Sequence, residues 1–184
     1  LPPPFPLLPL GLACIASIAK EAGADIRVFS GTGLEPRVTE LLETWKPDCT
    51  GFQTFVNNVQ LCRTLANLVK THCPDSFIVC GGVQASNSPM EFLDCRSVDA
   101  VIPGEGELLF KQLLARLPNQ ALGAPGIIYK DENGNQVTNP GKGLYENLDD
   151  LPPIPYELFY PEKNAIVGHM LTHRGCPFHC SHCP

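Results

Sequence analysis

No run of about eighteen apolar residues occurs in this chain, so no segment reads as a membrane-spanning helix. No basic run occurs either, and together with a formal charge of −6 that argues against a nucleic-acid partner. The opening Leu1-Pro2-Pro3-Pro4-Phe5-Pro6 lacks the basic flank of a signal peptide, and its prolines interrupt any apolar helix. Cysteine is abundant, with nine in 184 residues, yet Cys14, Cys49, Cys62, Cys73, Cys80 and Cys95 follow no repeating interval. An odd total without a pattern does not read as a secreted disulfide framework; reduced thiols in a cytoplasmic protein fit better, each a small buried hydrophobe. The chain has no initiating Met and stops one residue past its last cysteine, so the expectation is a fragment cut at both ends.

What is present is an alternation of short apolar runs and helical periodicity. Leu12, Ile15, Ala16, Ile18 and Ala19 recur at helical spacing, with Gly23 as the stop. Residues 25–30 form a short β-rich run. Pro36 suits a first helical position, and Val38, Leu41, Leu42 and Trp45 make the buried stripe of a second helix. Residues 48–55 read as a buried strand. Asn57 or Asn58 caps a third helix whose apolar face is Cys62, Leu65, Ala66 and Val69. Residues 77–80 and 98–102 are apolar strands, and a helix carrying Leu109, Phe110, Leu113 and Leu114 follows and stops at Pro118. Strand and helix alternate four times with short connections, which predicts an α/β, Rossmann-like (flavodoxin-like) parallel sheet with helices on both faces. Residues 126–130 and 136–138 flank Glu132-Asn133-Gly134-Asn135 and predict a hairpin that adds an antiparallel edge. The expected domain spans residues 1–138. Residues 139–163, rich in proline, read as a linker that wraps on the domain through Tyr156, Phe159 and Tyr160. Residues 165–172 then form a β-like run that leads into the final loop.

Ligands of open parallel sheets sit outside the carboxyl ends of the strands. The loops there contain Thr54, Phe55, Asn57 and Asn58; Gly81, Gly82, Val83 and Gln84; and Gly104, Glu105, Gly106 and Glu107. Glycines permit close backbone approach, and amides and hydroxyls suit a large ligand bearing amide groups. Composition alone leaves ordinary tight turns open as the alternative. Glu105 and Glu107 stand beside a helix start, where carboxylates complement the helix dipole.

The chain ends in Arg174-Gly175-Cys176-Pro177-Phe178-His179-Cys180-Ser181-His182-Cys183-Pro184, with three thiols spaced C-x3-C-x2-C. A loop this tight can converge Cys176, Cys180 and Cys183 on one inorganic centre. Three ligands leave one iron of a tetranuclear cluster open, whereas a structural zinc takes four and closes. A zinc site completed by His179 or His182 is the alternative on residue chemistry alone.

This loop, with Arg-Gly before the first Cys and Phe178 inside the first interval, resembles that of the radical S-adenosylmethionine superfamily. The upstream blocks Pro9-Leu10-Gly11, Gly81-Gly82-Val83-Gln84-Ala85, Gly104-Glu105-Gly106-Glu107 and Leu151-Pro152-Pro153-Ile154-Pro155 resemble, in the same order, the cobalamin-binding domain found before many radical S-adenosylmethionine domains. The resemblance implies that Cys176, Cys180 and Cys183 hold a [4Fe-4S] cluster and that the open iron binds S-adenosylmethionine. It implies that Leu10, Gly11 and the strand-end loops, with Gly31-Thr32-Gly33 as a fourth, hold cobalamin, and that residues 164–184 begin a truncated radical S-adenosylmethionine barrel. The reaction it implies is methyl transfer to an unactivated carbon through a 5′-deoxyadenosyl radical, with cyclisation in some relatives. The partners implied are a small-molecule substrate and a one-electron reductant such as flavodoxin or ferredoxin. A radical enzyme whose first domain only docks, and a non-enzymatic cobalamin- or metal-binding module, are the alternatives. Two departures qualify the match. The family's first strand is missing or reduced to residues 1–8, and no D-x-H-x-x-G motif supplies a cobalt-ligating His, which implies base-off cobalamin with no His ligand.

Overall fold

The computed structural model describes residues 8–31, 33–141, 143–160, 169, 173–175, 178 and 180. Its first helix, α1 (Leu10–Glu21), buries Ala13, Cys14, Ala16, Ile18 and Ala19 on one stripe. The helix ends where Gly23 takes φ +79° and donates its amide to the Lys20 carbonyl at 3.0 Å, as the sequence predicts. Then follow α2 (Leu34–Thr44), β1 (Cys49–Gln53), α3 (Val59–His72), β2 (Phe77–Gly81), α4 (Val83–Asn87), α5 (Pro89–Leu93), β3 (Ala100–Ile102), α6 (Glu107–Leu114) and a hairpin of β4 (Ile128–Lys130) and β5 (Gln136–Thr138). All four residues expected on the apolar face of α3 are buried.

The sheet runs β1-β2-β3-β4-β5, in chain order. β1, β2 and β3 are parallel, with Gly51 opposite Val79 and Val79 opposite Ala100. β4 runs antiparallel to β3 and β5, so the Asn-Gly hairpin adds an antiparallel edge as expected. The two-residue period of the strands divides the core. Ile78, Cys80 and Val101 face one side and pack with Leu42, Cys62, Ala66, Val69, Ala85 and Phe92. Val79, Ala100 and Ile102 face the other and pack with Ile18, Ala19, Leu109, Phe110 and Leu113. Thus α2, α3, α4 and α5 cover one face and α1 and α6 the other, which makes the expected Rossmann-like α/β fold.

Several local expectations are corrected. Residues 25–30 form no strand: the described sheet ends at β1, and a β-prone run without a ladder partner stays irregular. Phe29 and Arg27 lie on α2 and its end instead, with Arg37 over the Phe29 ring at 5.3 Å and Arg27 over Trp45 at 5.7 Å, while Ile26 packs on the α1 and α6 side of the core. Trp45 is therefore half-buried rather than core, its indole N–H donating to Asp25 at 3.2 Å, and of its expected stripe Leu42 alone is fully buried. Among the described residues the parallel strands number three, not four. Pro36 is the third residue of α2, not the first, still within the turn whose amides lack helical partners. Residues 83–87, expected as loop, are helical. The linker holds two single 3₁₀ turns, Leu148–Asp150 and Tyr156–Leu158, and is pinned by a Lys20–Glu157 ion pair and by the Tyr156 hydroxyl donating to the His169 carbonyl. The β-like run at residues 165–172 falls, His169 apart, outside the described residues.

Candidate functional site

The carboxyl ends of β1, β2 and β3 open on a cavity of about 420 Å³. Its floor is glycine: Gly51, Gly81, Gly82, Gly104 and Gly106. Leu12 and Ile15 of α1, with Val79 and Phe110, form apolar walls, and Gly11 and Gln53 face each other at one side. His173, Arg174 and Gly175, just before Cys176, close another side.

Three turns hold this floor in place. Thr54 is fully buried; its hydroxyl donates to the Gly81 carbonyl at 2.8 Å and accepts from the Ala85 amide at 2.9 Å. The Asn58 side chain accepts from the Phe55 amide at 2.8 Å and donates to the Gln53 carbonyl at 3.0 Å, bracing the turn it follows rather than capping α3. Ser86 joins the second loop to the third, donating to the Gly82 carbonyl and accepting from the Gly104 amide, both at 2.8 Å. We expect Thr54→Val to cost roughly 1–3 kcal/mol, because an isosteric methyl leaves the Ala85 amide buried without an acceptor. Urea denaturation checks this; a loss under about 0.5 kcal/mol would show the clasp to be dispensable.

The structure sorts the sequence candidates. Gly11, Gly81, Gly82, Gly104, Glu105, Gly106 and Glu107 line the cavity. Thr54 and Asn58 are spent on backbone stitching, and Gln84 turns to α5, donating to Glu91 at 2.7 Å. Phe55 (45% exposed), Asn57 and Val83 (54%) stand on the solvent rim with Val56 (80%), and Leu10 begins α1 without lining the cavity. Gln53, Cys14, Ile15 and Arg174 are cavity residues absent from the sequence expectation. Gln53 neighbours Thr54 in a loop already singled out, so a wider window would have found it. Nothing local marks Cys14 or Ile15, and Arg174 is marked in the sequence only as part of the cysteine loop.

Glu105 and Glu107 do more than accompany a helix start. The Glu107 side chain is buried and accepts from Arg174 Nη2 at 2.7 Å, while Glu105 accepts from Arg174 Nη1 at 3.1 Å. The bound Glu107 carboxylate holds the Arg174 guanidinium above its ordinary range. Cys14 Sγ lies 3.6 Å from the same guanidinium, and burial, followed by the Glu107 charge, pushes its thiol up. Cys14 is thus a cavity thiol beside charges rather than a plain core hydrophobe. Cys62, Cys73, Cys80 and Cys95 are buried as expected, and Cys49 is half-buried.

Of the three cysteines of the final loop, Cys180 is an exposed free thiol. Cys176 and Cys183 lie outside the described residues. Among the described residues no group of three or more His, Cys, Asp and Glu side chains is arranged to hold a metal ion. No described helix is long and apolar enough to cross a membrane.

The glycine floor and the Leu12, Ile15, Val79 and Phe110 wall suit the flat apolar body of a ligand, with the Gln53 amide at one side. The floor carries no side chains, one wall is apolar while Glu105, Glu107 and Arg174 stand on another side, and a Cβ built at Gly104 meets nothing within 4 Å. His72, the last residue of α3, lies at the opposite end of the sheet from these loops.

The family model described as "B12 binding domain" matches residues 3–114. An uncharacterized methyltransferase, PH0819 of Pyrococcus horikoshii, is 31% identical over 95% of this chain and 40% of its own length. The hopanoid C-3 methylase of Methylococcus capsulatus is 32% identical over 96% of this chain and 36% of its own length. Among solved structures, the cobalamin-dependent S-adenosylmethionine radical enzyme OxsB superposes with a TM-score of 0.62 at 25% identity, over 82% of this chain and 22% of that one. The chain therefore spans well under half the length of these relatives.

Proposed function

This chain belongs to the B12 binding domain family, and we propose that its cavity holds cobalamin within a radical S-adenosylmethionine methyltransferase. The observation that carries the reading is the glycine-floored cavity at the strand carboxyl ends, walled by the tripeptide that leads into the C-x3-C-x2-C loop. Cobalamin, S-adenosylmethionine and a [4Fe-4S] cluster would together supply one-electron cleavage and methyl transfer to a carbon of a small-molecule substrate.

This chain's own residues hold, orient and exclude. Gly81, Gly82, Gly104 and Gly106 let a macrocycle approach the backbone. Leu12, Ile15, Val79 and Phe110 strip water from its apolar face. Phe55, Asn57 and Val83 stand where the rim of a larger ligand would rest. Cys176, Cys180 and Cys183 are the thiolates proposed to hold the cluster, leaving one iron open. The proposal extends to the domain limits 1–138, 139–163 and 164–184, to a flavodoxin- or ferredoxin-like reductant and to a cytoplasmic setting. It also holds that cobalamin is base-off without a His ligand, in keeping with the lack of a D-x-H-x-x-G motif.

Anaerobic binding of cob(II)alamin followed by electron paramagnetic resonance tests it. We expect a bound spectrum without nitrogen superhyperfine splitting. Nitrogen splitting would mean a nitrogen on cobalt, either the cofactor's own base or a His such as His173 on the cavity wall, and would overturn the base-off, His-off assignment. Absence of binding by the folded chain would overturn the cobalamin site itself.

A further inference from the structure

Arg174 reaches back across 69 and 67 positions of sequence to Glu105 and Glu107. One guanidinium nitrogen serves each carboxylate, and the nitrogen on Glu107 also touches Cys14 of α1. The Arg174 side chain is 15% exposed, Glu107 6% and Glu105 32%, so this contact is sheltered from water, unlike a surface ion pair. Three separate elements thus meet at one side chain: α1, the loop from β3 to α6, and the tripeptide His173-Arg174-Gly175. The same tripeptide is both a wall of the cavity and the backbone entering Cys176.

We infer that Arg174 is a positioning residue that seats the tripeptide His173-Arg174-Gly175, which leads into the cysteine loop, on the cavity, so that filling the cavity and holding the tripeptide are coupled. The docking stands on the geometry alone. The coupling to a cofactor rests on the cobalamin reading above.

The charges rank the parts. Two carboxylates face one guanidinium, so Glu105→Gln removes the longer, wetter contact and leaves a matched pair. Glu107→Gln removes the shorter, buried contact but leaves Arg174 on Glu105. Arg174→Ala leaves both carboxylates facing each other, with Glu107 buried and without its counter-ion. Arg174→Lys keeps the charge but loses the planar fork that spans two acceptors.

Amide hydrogen exchange on the 184-residue chain, alone and with hydroxocobalamin, tests the ranking. Without ligand, residues 173–175 exchange about tenfold faster in Arg174→Ala, several-fold faster in Glu107→Gln and Arg174→Lys, and within about twofold of the parent in Glu105→Gln. With hydroxocobalamin, the parent gains protection at both 103–107 and 173–175, whereas Arg174→Ala gains it at 103–107 only. Parent-like exchange at 173–175 in ligand-free Arg174→Ala overturns the docking. Ligand protection that persists at 173–175 in that variant overturns the coupling. If Arg174→Ala does not fold, Arg174→Lys carries the comparison, and parent-like exchange there overturns the docking. A parent that gains no protection anywhere sinks the cobalamin reading, and the ligand-free comparison then decides the docking alone.

Discussion

Gly82→Ala is expected to lower the unfolding free energy by about 4 kcal/mol in urea denaturation, from backbone strain and lost hydrogen bonds together. Gly82 stands immediately before α4 with φ +98° and ψ −178°, a region that side chains rarely enter. An added Cβ would come within 2.8 Å of the Thr54 carbonyl oxygen and 3.0 Å of its amide nitrogen. Neither atom is free to retreat, since the Thr54 amide already donates to the Gly81 carbonyl at 2.8 Å and its carbonyl accepts from the Gln84 amide. The methyl must therefore break the clasp that holds the first two strand-end loops together. Gly104→Ala is the matching control. Its φ of +65° costs a side chain only about 1–2 kcal/mol, and the new methyl meets no protein atom within 4 Å. On the cobalamin reading it enters ligand space, so it weakens hydroxocobalamin binding while costing less stability than Gly82→Ala. Equal destabilisation by the two substitutions would refute the steric account.

Phe92→Ala costs about 3–5 kcal/mol by the same measurement, with little change in the denaturant slope. Phe92 is fully buried in α5, where it packs in one cluster with Cys80, Ala85, Val101 and Ile128. A helix of five residues cannot stand by its own hydrogen bonds, so α5 exists because that ring is buried. The vacated space lies where α4, α5, β3 and β4 meet, and small neighbours such as Ala85 and Cys80 cannot collapse into it. A loss below about 2 kcal/mol would mean that the site repacks.

How far the sequence reached depended on the range of the cause. The long amphipathic helix α3, the apolar β2 and the Asn-Gly hairpin have local causes, and they appear where the residues predict them. Residues 25–30 have the β-branched and aromatic content of a strand, but strand formation needs a neighbour, and propensity carries no news of one. The five residues of α4 are too few for helical periodicity to register, so Val83 and Gln84 read as loop. In the site, the glycines were legible because close approach demands them. Thr54 was correctly singled out and differently employed: a hydroxyl in such a loop serves backbone or ligand equally well until the fold supplies a carbonyl at 2.8 Å. Arg174 was noticed as part of the cysteine loop, but its partners lie across the chain, where no window of local sequence extends.

The order of the sheet also sets an order of events. The order of the strands in the sheet is the order in which a ribosome delivers them, so each finds its neighbour already made. Glu107 opens α6, yet its guanidinium partner follows it by 67 residues. A nascent chain that has reached α6 carries a carboxylate at a half-finished wall and awaits a late arrival. Completion of the cavity is thereby tied to synthesis of the cysteine loop, and a chain interrupted between the two would hold a sheet with its most costly charge unanswered.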